Sequence, residues 1–588
     1  MGIVMAEVLL KNDQLTKIDK FLGINEDEAG QTQLQMGESP DMMNFRITDN
    51  LKLSKRNGYV QMFASIATKS VRCMIYTKLS GTNYFVFACN GNVYSMNTGT
   101  GVVSASIGTL TDGITRMFNF EGKLYILNGV KYYSWDGTTY QEVVGYIPLV
   151  RIATPPAGGG TANEPFNIIS NGKRQQFSGN GSSTDYFLIE TSIIGVDWVK
   201  INGSTVSTST YTVTNSTGKV AFNSAPASGT NNVEIQWTKD NGNRVEIENC
   251  HYWAFFGGSN DTRVFLWGNA NFKNRRYYSY LYDPTYFREN DYDEIGSDEF
   301  AITDIARQYD RQLIFKENET YYSYFDEANN IYPIYNLNSE KGNIAPGQAR
   351  TLSNNPVTIC EGIYEWVQSN VRDEKNAKYI SKNVQTSLNT IDLTQAITWD
   401  FACNAEYIIC VGKVCWIYNY RIGMWYKYTL QHTPTYFLDI EDNLYFGTNN
   451  GQIMLFNGAY TDNGTKITAY WQSDFMDFGV SHLKKFISRA WLAIKADKQA
   501  YCELSYQTNN DQTATSEEFT AFYSMLDFSN MDFSLFSFTS NNNPQPFSFK
   551  INAKKFAFIK FIITSDDDDK TLTVLSLSLN TAIGGEIR

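Results

Sequence analysis

The sequence predicts an all-β chain: a β-propeller of about seven blades, with a small β-sandwich inserted between blades and a C-terminal β-sandwich domain. Three observations predict it. Aromatic residues make up 15% of the 588, with 38 Tyr and 37 Phe, and such rings fit the pleated, half-buried surface of a strand. Short strand-like runs recur in one grammar, as in "GKLYILNGVKYYSWDG" (Gly122–Gly137), "GNVYSMNTGTG" from Gly91 and "NLYFGTNNGQIMLFNG" from Asn443. Each writes a strand, a sharp glycine-containing turn and another strand, and the glycines supply the positive φ that such turns often need. Finally, domains hold about 100–200 residues, so a chain of this length divides into two to four units.

The elements follow in order. Residues 1–50, with the polar, turn-rich "LGINEDEAGQTQLQMGESPDMMNFRITDN", read as an extended arm. Residues 51–152 read as the first part of the propeller, entered through "LKLSKRNGYVQMF". From Val71 the runs "VRCMIYT", "NYFVFACN", "GNVYSMN" and "VVSASIG" make one group of four. "ITRMFNF", "GKLYILNG", "VKYYSWDG" and "YQEVVG" make the next. Each group spans about 35–40 residues, the length of a four-stranded blade.

"ATPPAGGG" (Ala153–Gly160) reads as a linker. Residues 161–240 then read as an inserted immunoglobulin-like sandwich, rich in Ser, Thr, Asn and Gly, with strands such as "DWVKING" and "NNVEIQWT". The grammar resumes over 241–460 in five candidate blades, among them "CHYWAFFGG…TRVFLWGN…RRYYSYL" and "NAEYIICVGKVCWIYNYRIGMWYKYTL". Residues 461–588 alternate over longer strands and read as the C-terminal sandwich.

Charge and motifs narrow the function. A net charge of −12 argues against a general nucleic-acid binder, which needs a basic surface to displace counterions. It is compatible with a wall past which DNA slides, since an acidic surface repels phosphate. The eight cysteines form no CxxC pair. "CNAEYIICVGKVC" (Cys403–Cys415) has no interleaved His, so zinc spacing is missing and reduced, buried thiols are expected. The N-terminus shows no secretory signal pattern, and no run of about 18 apolar residues exists. Synthesis in a host cytoplasm is expected.

His251, His432 and His482 are far apart and lack metal spacing. "SDDDDK" (Ser565–Lys570) reads as a solvated turn rather than a calcium loop. "ENDYDEIGSDEF" (Glu289–Phe300) holds Asp291, Asp293 and Glu294, the carboxylates a propeller glycosidase would need. A single loop does not establish the pair about 5–10 Å apart that such catalysis requires. "SWDGTTY" at Ser134 is the nearest match to a sialidase repeat, and its glycine comes one place early. "KNRRYYSYLYDPTYF" (Lys273–Phe287) mixes cations with aromatics, expected as Arg-on-Tyr packing. No Walker A, GxSxG or HExxH motif is present. No catalytic, cofactor-binding or metal residue is assigned, and no cofactor is expected.

Three segments resemble a known family. "FSGNGSSTDYFL…VDWVKING…YTV…GKVAFNSAPASGTNNVEIQW" looks like the immunoglobulin-like module of tailed-phage structural proteins. "RVFLWGNANFKNRRYYSYLYDPTYF" and "GESPDMMNFRITDNLKLSKRNGY" resemble phage tail nozzle proteins, also called tail tubular or packaged-DNA stabilisation proteins. Together they cover roughly a third of the chain. The resemblance implies a virion protein in the tail, a ring (hexameric in that family) around a DNA channel, and contacts with other tail and adaptor proteins. It implies retention of packaged DNA and its conduction during ejection, without sequence-specific binding. A separate nozzle-tip domain is not identified. The alternatives are a host-surface-binding tail component and a glycan-degrading propeller enzyme.

Overall fold

The computed structural model describes residues 13–27, 34–62, 65, 66, 68–100, 102–240, 242–258, 260–368, 376–496, 500–509, 519–523, 543–566 and 572–586. The chain is all-β and divides into two compact units: Arg72–Gly347, and Met1–Val71 together with Gln348–Arg588.

The first unit carries four meander sheets of the propeller-blade type. The first runs Val71–Leu79, Thr82–Cys89 and Asn92–Asn97, with Val102–Val103 and Gly108–Thr109 both paired to its third strand. The second is Arg116–Phe120, Lys123–Leu127, Tyr132–Trp135 and Tyr140–Glu142. The third is Tyr252–Phe256, Arg263–Trp267, Arg275–Tyr278 and Tyr292–Glu294, and the fourth Ile302–Gln308, Arg311–Lys316, Thr320–Tyr324 and Ile334–Asn338. The second strands Arg263–Trp267 and Arg311–Lys316 are buried almost throughout, as strands covered on both faces must be.

Faces of successive blades meet through aromatic side chains. Phe118 of the second blade lies 5.2 Å from Trp253 and 5.8 Å from Phe255 of the third. Tyr332, just before the last strand of the fourth blade, meets Phe265 of the third edge-on at 5.1 Å. Each sheet hides its apolar faces against the next, which explains why the sequence repeats the same grammar.

Between the second and third blades lies a β-sandwich. One sheet joins Leu149–Thr154, Thr161–Ala162, Gly172–Gly179, Gly229–Thr238, Gly195–Ile201 and Ser204–Thr205; the other joins Asp185–Phe187, Lys219–Phe222 and Tyr211–Thr214. Phe177, Tyr186, Val199, Val220, Val233, Ile235 and Trp237 form its core, all fully buried. Its entry and exit both border strand Gly172–Gly179. Arg174 N donates to Pro148 O, and Lys239 N donates to Asn171 O, each at 2.9 Å. Close ends are what allow a domain to be inserted without disturbing its host.

The second unit holds three more blade-type sheets. They are Arg350–Leu352, Asn355–Ile359, Ile363–Trp366 and Ala377–Tyr379; Ile397–Phe401, Glu406–Val411, Val414–Asn419 and Met424–Thr429; and Pro434–Ile440, Asn443–Thr448 and Ile453–Ala459. The last sheet takes its fourth strand from the other end of the chain. Gly58–Gln61 pairs antiparallel with Ile453–Ala459, matching Val60 to Leu455.

The same unit holds the C-terminal sandwich. One sheet orders Phe45–Ile47, Leu53–Lys55, Leu572–Glu586, Leu483–Ala496 and Gln545–Phe556, with Asp13–Ile18 also on Leu572–Glu586. The other orders Asp41–Met43, Ala469–Gln472, Ile559–Ser565, Ala500–Thr508 and Phe519–Tyr523.

Three sequence expectations are therefore corrected. The described residues of 1–50 form no free arm: Asp13–Ile18, Asp41–Met43 and Phe45–Ile47 complete both sheets of the C-terminal sandwich. The segment 51–152 carries the first two blades only from Val71, since Leu53–Lys55 belongs to that sandwich and Gly58–Gln61 to the last blade. "ATPPAGGG" is no interdomain linker. It closes a hairpin inside the inserted sandwich, where Ile152 pairs with Thr161 and Gly158 N donates to Pro155 O. The insert thus begins at Leu149.

A regularity that the sequence reading missed links the blades. In four of them the third and fourth strands place two aromatic rings directly opposite each other. The pairs are Tyr277–Tyr292, Tyr322–Tyr335, Tyr364–Tyr379 and Tyr418–Trp425, with centroids 5.9, 5.2, 5.5 and 4.9 Å apart. The second blade has a diagonal version, Tyr133–Tyr140 at 5.1 Å. Such cross-strand pairs contribute about 0.2–1 kcal/mol each and help hold the outer strand in register.

Candidate functional site

Asp291, Asp293 and Glu294 of "ENDYDEIGSDEF" lie in or beside the outer strand of the third blade, and each of the three is committed to an arginine. Asp291 accepts from Arg288 Nε at 2.5 Å. Asp293 accepts from Arg276 at 2.9 Å, and Glu294 from Arg275 at 2.9 Å. Burial raises the Asp291 and Asp293 carboxyls above their ordinary value, against the lowering pull of those arginines.

Arg276 is the centre of this arrangement. Its guanidinium is fully buried and also donates to Gln312 Oε1 at 2.6 Å and Ser323 Oγ at 2.8 Å, both on the fourth blade. It lies 5.0 Å from the Phe265 ring centroid. A buried guanidinium needs this full set of partners, because an unpaired charge in an apolar interior costs several kcal/mol (roughly 3–5 when one partner of a pair is removed). The pairing is a clamp between blades. In the "KNRRYYSYLYDPTYF" segment Arg275 packs between rings, 4.2 Å from the Phe272 centroid and 4.3 Å from Tyr292.

The loop that follows exposes a different surface. Tyr280, Leu281 and Tyr282 are 40%, 42% and 57% exposed. Tyr280 and Leu281 border a cleft of about 440 Å³ lined also by Tyr146, Asn163, Glu164, Tyr286 and Arg288. Tyr280 and Tyr286 are 5.3 Å apart, and the Arg288 guanidinium lies 5.3 Å over Tyr280.

A second cavity, about 430 Å³, lies in the other unit between its last two blades. Phe401, Ile408, Ile417, Phe437, Leu444 and Phe456 form apolar walls, and Arg46, Arg56, Glu406 and Tyr428 add polar groups. Burial raises the Glu406 carboxyl, which accepts from Tyr426 OH at 2.7 Å. Arg56 is saturated. It donates to both oxygens of Asp462 (2.8 and 2.6 Å), to Asn44 Oδ1 (2.8 Å) and to Thr429 O (2.6 Å).

The histidines stay apart. His251 Nδ1 is 3.1 Å from Gly268 O. Its Nε2 sits where a side chain on Gly129 would collide, 2.0 Å from an ideal Cβ, so that glycine seats the ring. His432 Nδ1 is 3.1 Å from Tyr59 OH, and burial lowers its pKa. His482 is exposed. Among the described residues no group of three or more His, Cys, Asp or Glu is placed to hold a metal ion. No helix among them is long and apolar enough to cross a membrane. Of "SDDDDK", Ser565 and Asp566 are described, and Asp567–Lys570 lie outside the described residues. Asp566 pairs with Lys466 and accepts from Tyr501 OH at 2.6 Å, and these bonds lower its pKa.

No family model matches the chain, and no curated protein matches it. Among solved structures it is similar to BamB from Moraxella catarrhalis, at 8% identity and a TM-score of 0.32, over 75% of this chain and 97% of that one. A chain in a crystal structure of the mitotic checkpoint complex matches at 10% identity and a TM-score of 0.34, over 68% and 93%. YCF48 bound to D1 peptide matches at 8% identity and a TM-score of 0.34, over 70% and 97%. Likenesses this distant say nothing about what the chain does.

Proposed function

We propose that the protein is a structural component of a tailed-phage virion, assembling with copies of itself into a ring in the tail around the DNA channel. The observation that carries this reading is how the chain spends its charge. Asp291, Asp293 and Glu294, the carboxylates a glycosidase reading would use, are each bound to an arginine. The Arg276 and Arg56 clusters hold sheets together. These are the uses of charge expected in a scaffold. The resemblance of the insert and third-blade segments to nozzle proteins supports a place in the tail and a hexameric ring. In that place the ring extends the tail, helps retain packaged DNA and passes it during ejection. A net charge of −12 supports passage, since an acidic surface repels phosphate and keeps DNA from adhering.

Gold-labelled antibody against the inserted sandwich, applied to purified particles, tests this. Label around the tail axis beneath the head is expected. Absence of the protein from particles sinks the proposal. A host-surface role is favoured by one observation, the exposed Tyr280 and Leu281 lining a cleft of about 440 Å³, since sugars stack on exposed aromatic rings. Label on outward fibres, together with hits on a glycan array that are lost in Tyr280→Ala, favours that role over the ring.

A further inference from the structure

Cys410 and Cys415 are direct partners in the hairpin between the second and third strands of the blade Ile397–Thr429. The chain turns there through two residues, Gly412 and Lys413. Gly412 has φ +61°, and Lys413 is not among the residues with positive φ. That combination marks a two-residue turn with glycine in the first position, the II′ form that suits the strand twist. In such a hairpin the flanking pair, Val411 and Val414, is the hydrogen-bonded one. Alternation then makes Cys410 and Cys415 the non-hydrogen-bonded pair, whose Cα atoms lie about 4.5 Å apart. Disulfides span Cα separations of about 4.4–6.8 Å, so no backbone shift is demanded.

Both cysteines are buried, at 1% and 2% exposure, and both are reduced. Burial pushes the Cys410 thiol well up and the neighbouring Cys415 thiol adds to the rise, while Cys410 Sγ donates to Gly412 O at 3.8 Å. Their surroundings differ in one respect. Cys415 lines the cavity of about 430 Å³ between the last two blades, and Cys410 does not.

We propose that Cys410 and Cys415 are a redox-modification site that takes a small peroxide as oxidant and closes to an intrachain disulfide. The Cys415 sulfur, reached through the cavity, attacks one peroxide oxygen. The O–O bond breaks, hydroxide leaves and is protonated to water, and Cys415 becomes a sulfenic acid. The Cys410 sulfur then attacks the sulfenic sulfur. An S–S bond forms, the S–O bond breaks, and a second water leaves with the thiol proton. Two thiols lose two electrons and two hydrogens, and the peroxide is reduced to two waters. The product pins the hairpin that walls the cavity. A protein made in a reducing cytoplasm would acquire this crosslink only after release.

The test uses the full chain with hydrogen peroxide. Treated protein is alkylated, denatured and digested with trypsin without reductant. Trypsin cuts after Lys413, between the two cysteines, so the peptides Asn383–Lys413 and Val414–Arg421 stay joined only through a disulfide. Cys403→Ser removes the exposed thiol that shares the first peptide. The joined pair is expected to rise roughly tenfold over untreated protein and to vanish on reduction, as a reversible disulfide must. In Cys410→Ser, Cys415 should stop at the sulfenic acid and be trapped by dimedone. If Cys403→Ser does not fold, fragmentation of the joined peptide from unsubstituted protein identifies the linked residue. The proposal is overturned if Cys415 stays alkylatable under peroxide that oxidises Cys403. It is equally overturned if Cys415 carries two or three oxygens while Cys410 remains a thiol.

Discussion

The inserted sandwich takes all its strands from one stretch, Leu149 to Thr238, whereas the C-terminal sandwich draws from both ends of the chain. In the insert, strand Gly172–Gly179 pairs with Gly229–Thr238, and the ends of the module meet beside it. In the C-terminal sandwich, Leu15 pairs with Asn580, Leu53 with Val574 and Met42 with Trp471. Both solve the same problem, two sheets sharing an apolar core. They differ in the length of chain that must close before contacts form, and closure entropy rises with that length, slowly but steadily. The insert can gather its core early and alone. The C-terminal sandwich and the last blade wait for segments hundreds of residues apart, which slows folding.

Removing residues 1–61 should break this contrast most. The deletion takes strands from both C-terminal sheets and the fourth strand from the last blade. It exposes the edge of Leu572–Glu586 and removes buried Phe21, Met42, Phe45, Leu53 and Tyr59 from the shared core. Amides of 483–496 and 572–586 are expected to lose protection in hydrogen exchange, while those of 172–179 and 229–238 keep it. Residues 147–240 expressed alone should show a cooperative transition of their own. Retained protection at 572–586 in the truncated chain would show that the chain ends are ornamental, and the contrast would collapse.

A single side chain should show the same asymmetry at smaller scale. Arg56 and Asp462 are 2% and 5% exposed at their side chains and lie 406 residues apart. Through Asn44 and Thr429 the guanidinium ties the N-terminal segment, a blade and the lead into the sandwich together. Arg56→Ala leaves Asp462 buried and unpaired, which costs about 3–5 kcal/mol. Urea unfolding should show that loss in the unit containing the chain ends, with the insert's transition unmoved. Replacing both partners by apolar residues should cost less, since the buried charge is then gone.

What could be read from the sequence follows the same line. The blade runs from Val71, the insert strands and the long C-terminal strands are local patterns of alternation and turn residues, and the structure forms strands at each. The partners of "MMNFRITDN" and "NGYVQ" are not local. Their alternation says strand without saying which sheet, so an arm and a first blade were read where a sandwich edge and a last-blade strand exist. The Tyr277–Tyr292 type of pair does leave a local signal, an aromatic in each of the last two runs of a blade. The candidate site was legible only as a set of residue types. "ENDYDEIGSDEF" shows its carboxylates, but the partners Arg275 and Arg276 stand earlier in the chain, and Gln312 and Ser323 sit on another blade. The cavity that borders Cys415 is assembled from five separate stretches between Arg46 and Gly458, a long-range product that composition cannot announce.

The smallest expected effect comes from Asp400, on the inner strand of the blade that carries the cysteine hairpin. Burial pushes its pKa up to about 6, Asp439 on the next blade adds to the rise, and the hydrogen bond from Tyr420 OH at 3.2 Å opposes it. The folded-state value stands above the unfolded one, near 3.9, so between about pH 4 and 6 the native state holds the proton more firmly. Stability therefore falls as pH rises through that window, and the penalty persists at neutral pH. Partial exposure lets solvent screen part of it, leaving about 1 kcal/mol. Asp400→Asn keeps an oxygen to accept from Tyr420 and carries no charge at any pH. It should stabilise its unit by about 1 kcal/mol at pH 7 and by almost nothing at pH 4. Urea midpoints at the two pH values, with the insert's transition as the internal reference, measure this. Equal gains at both would mean that Asp400 titrates alike in the folded and unfolded chain, and that its blade interior is as wet as the solvent outside.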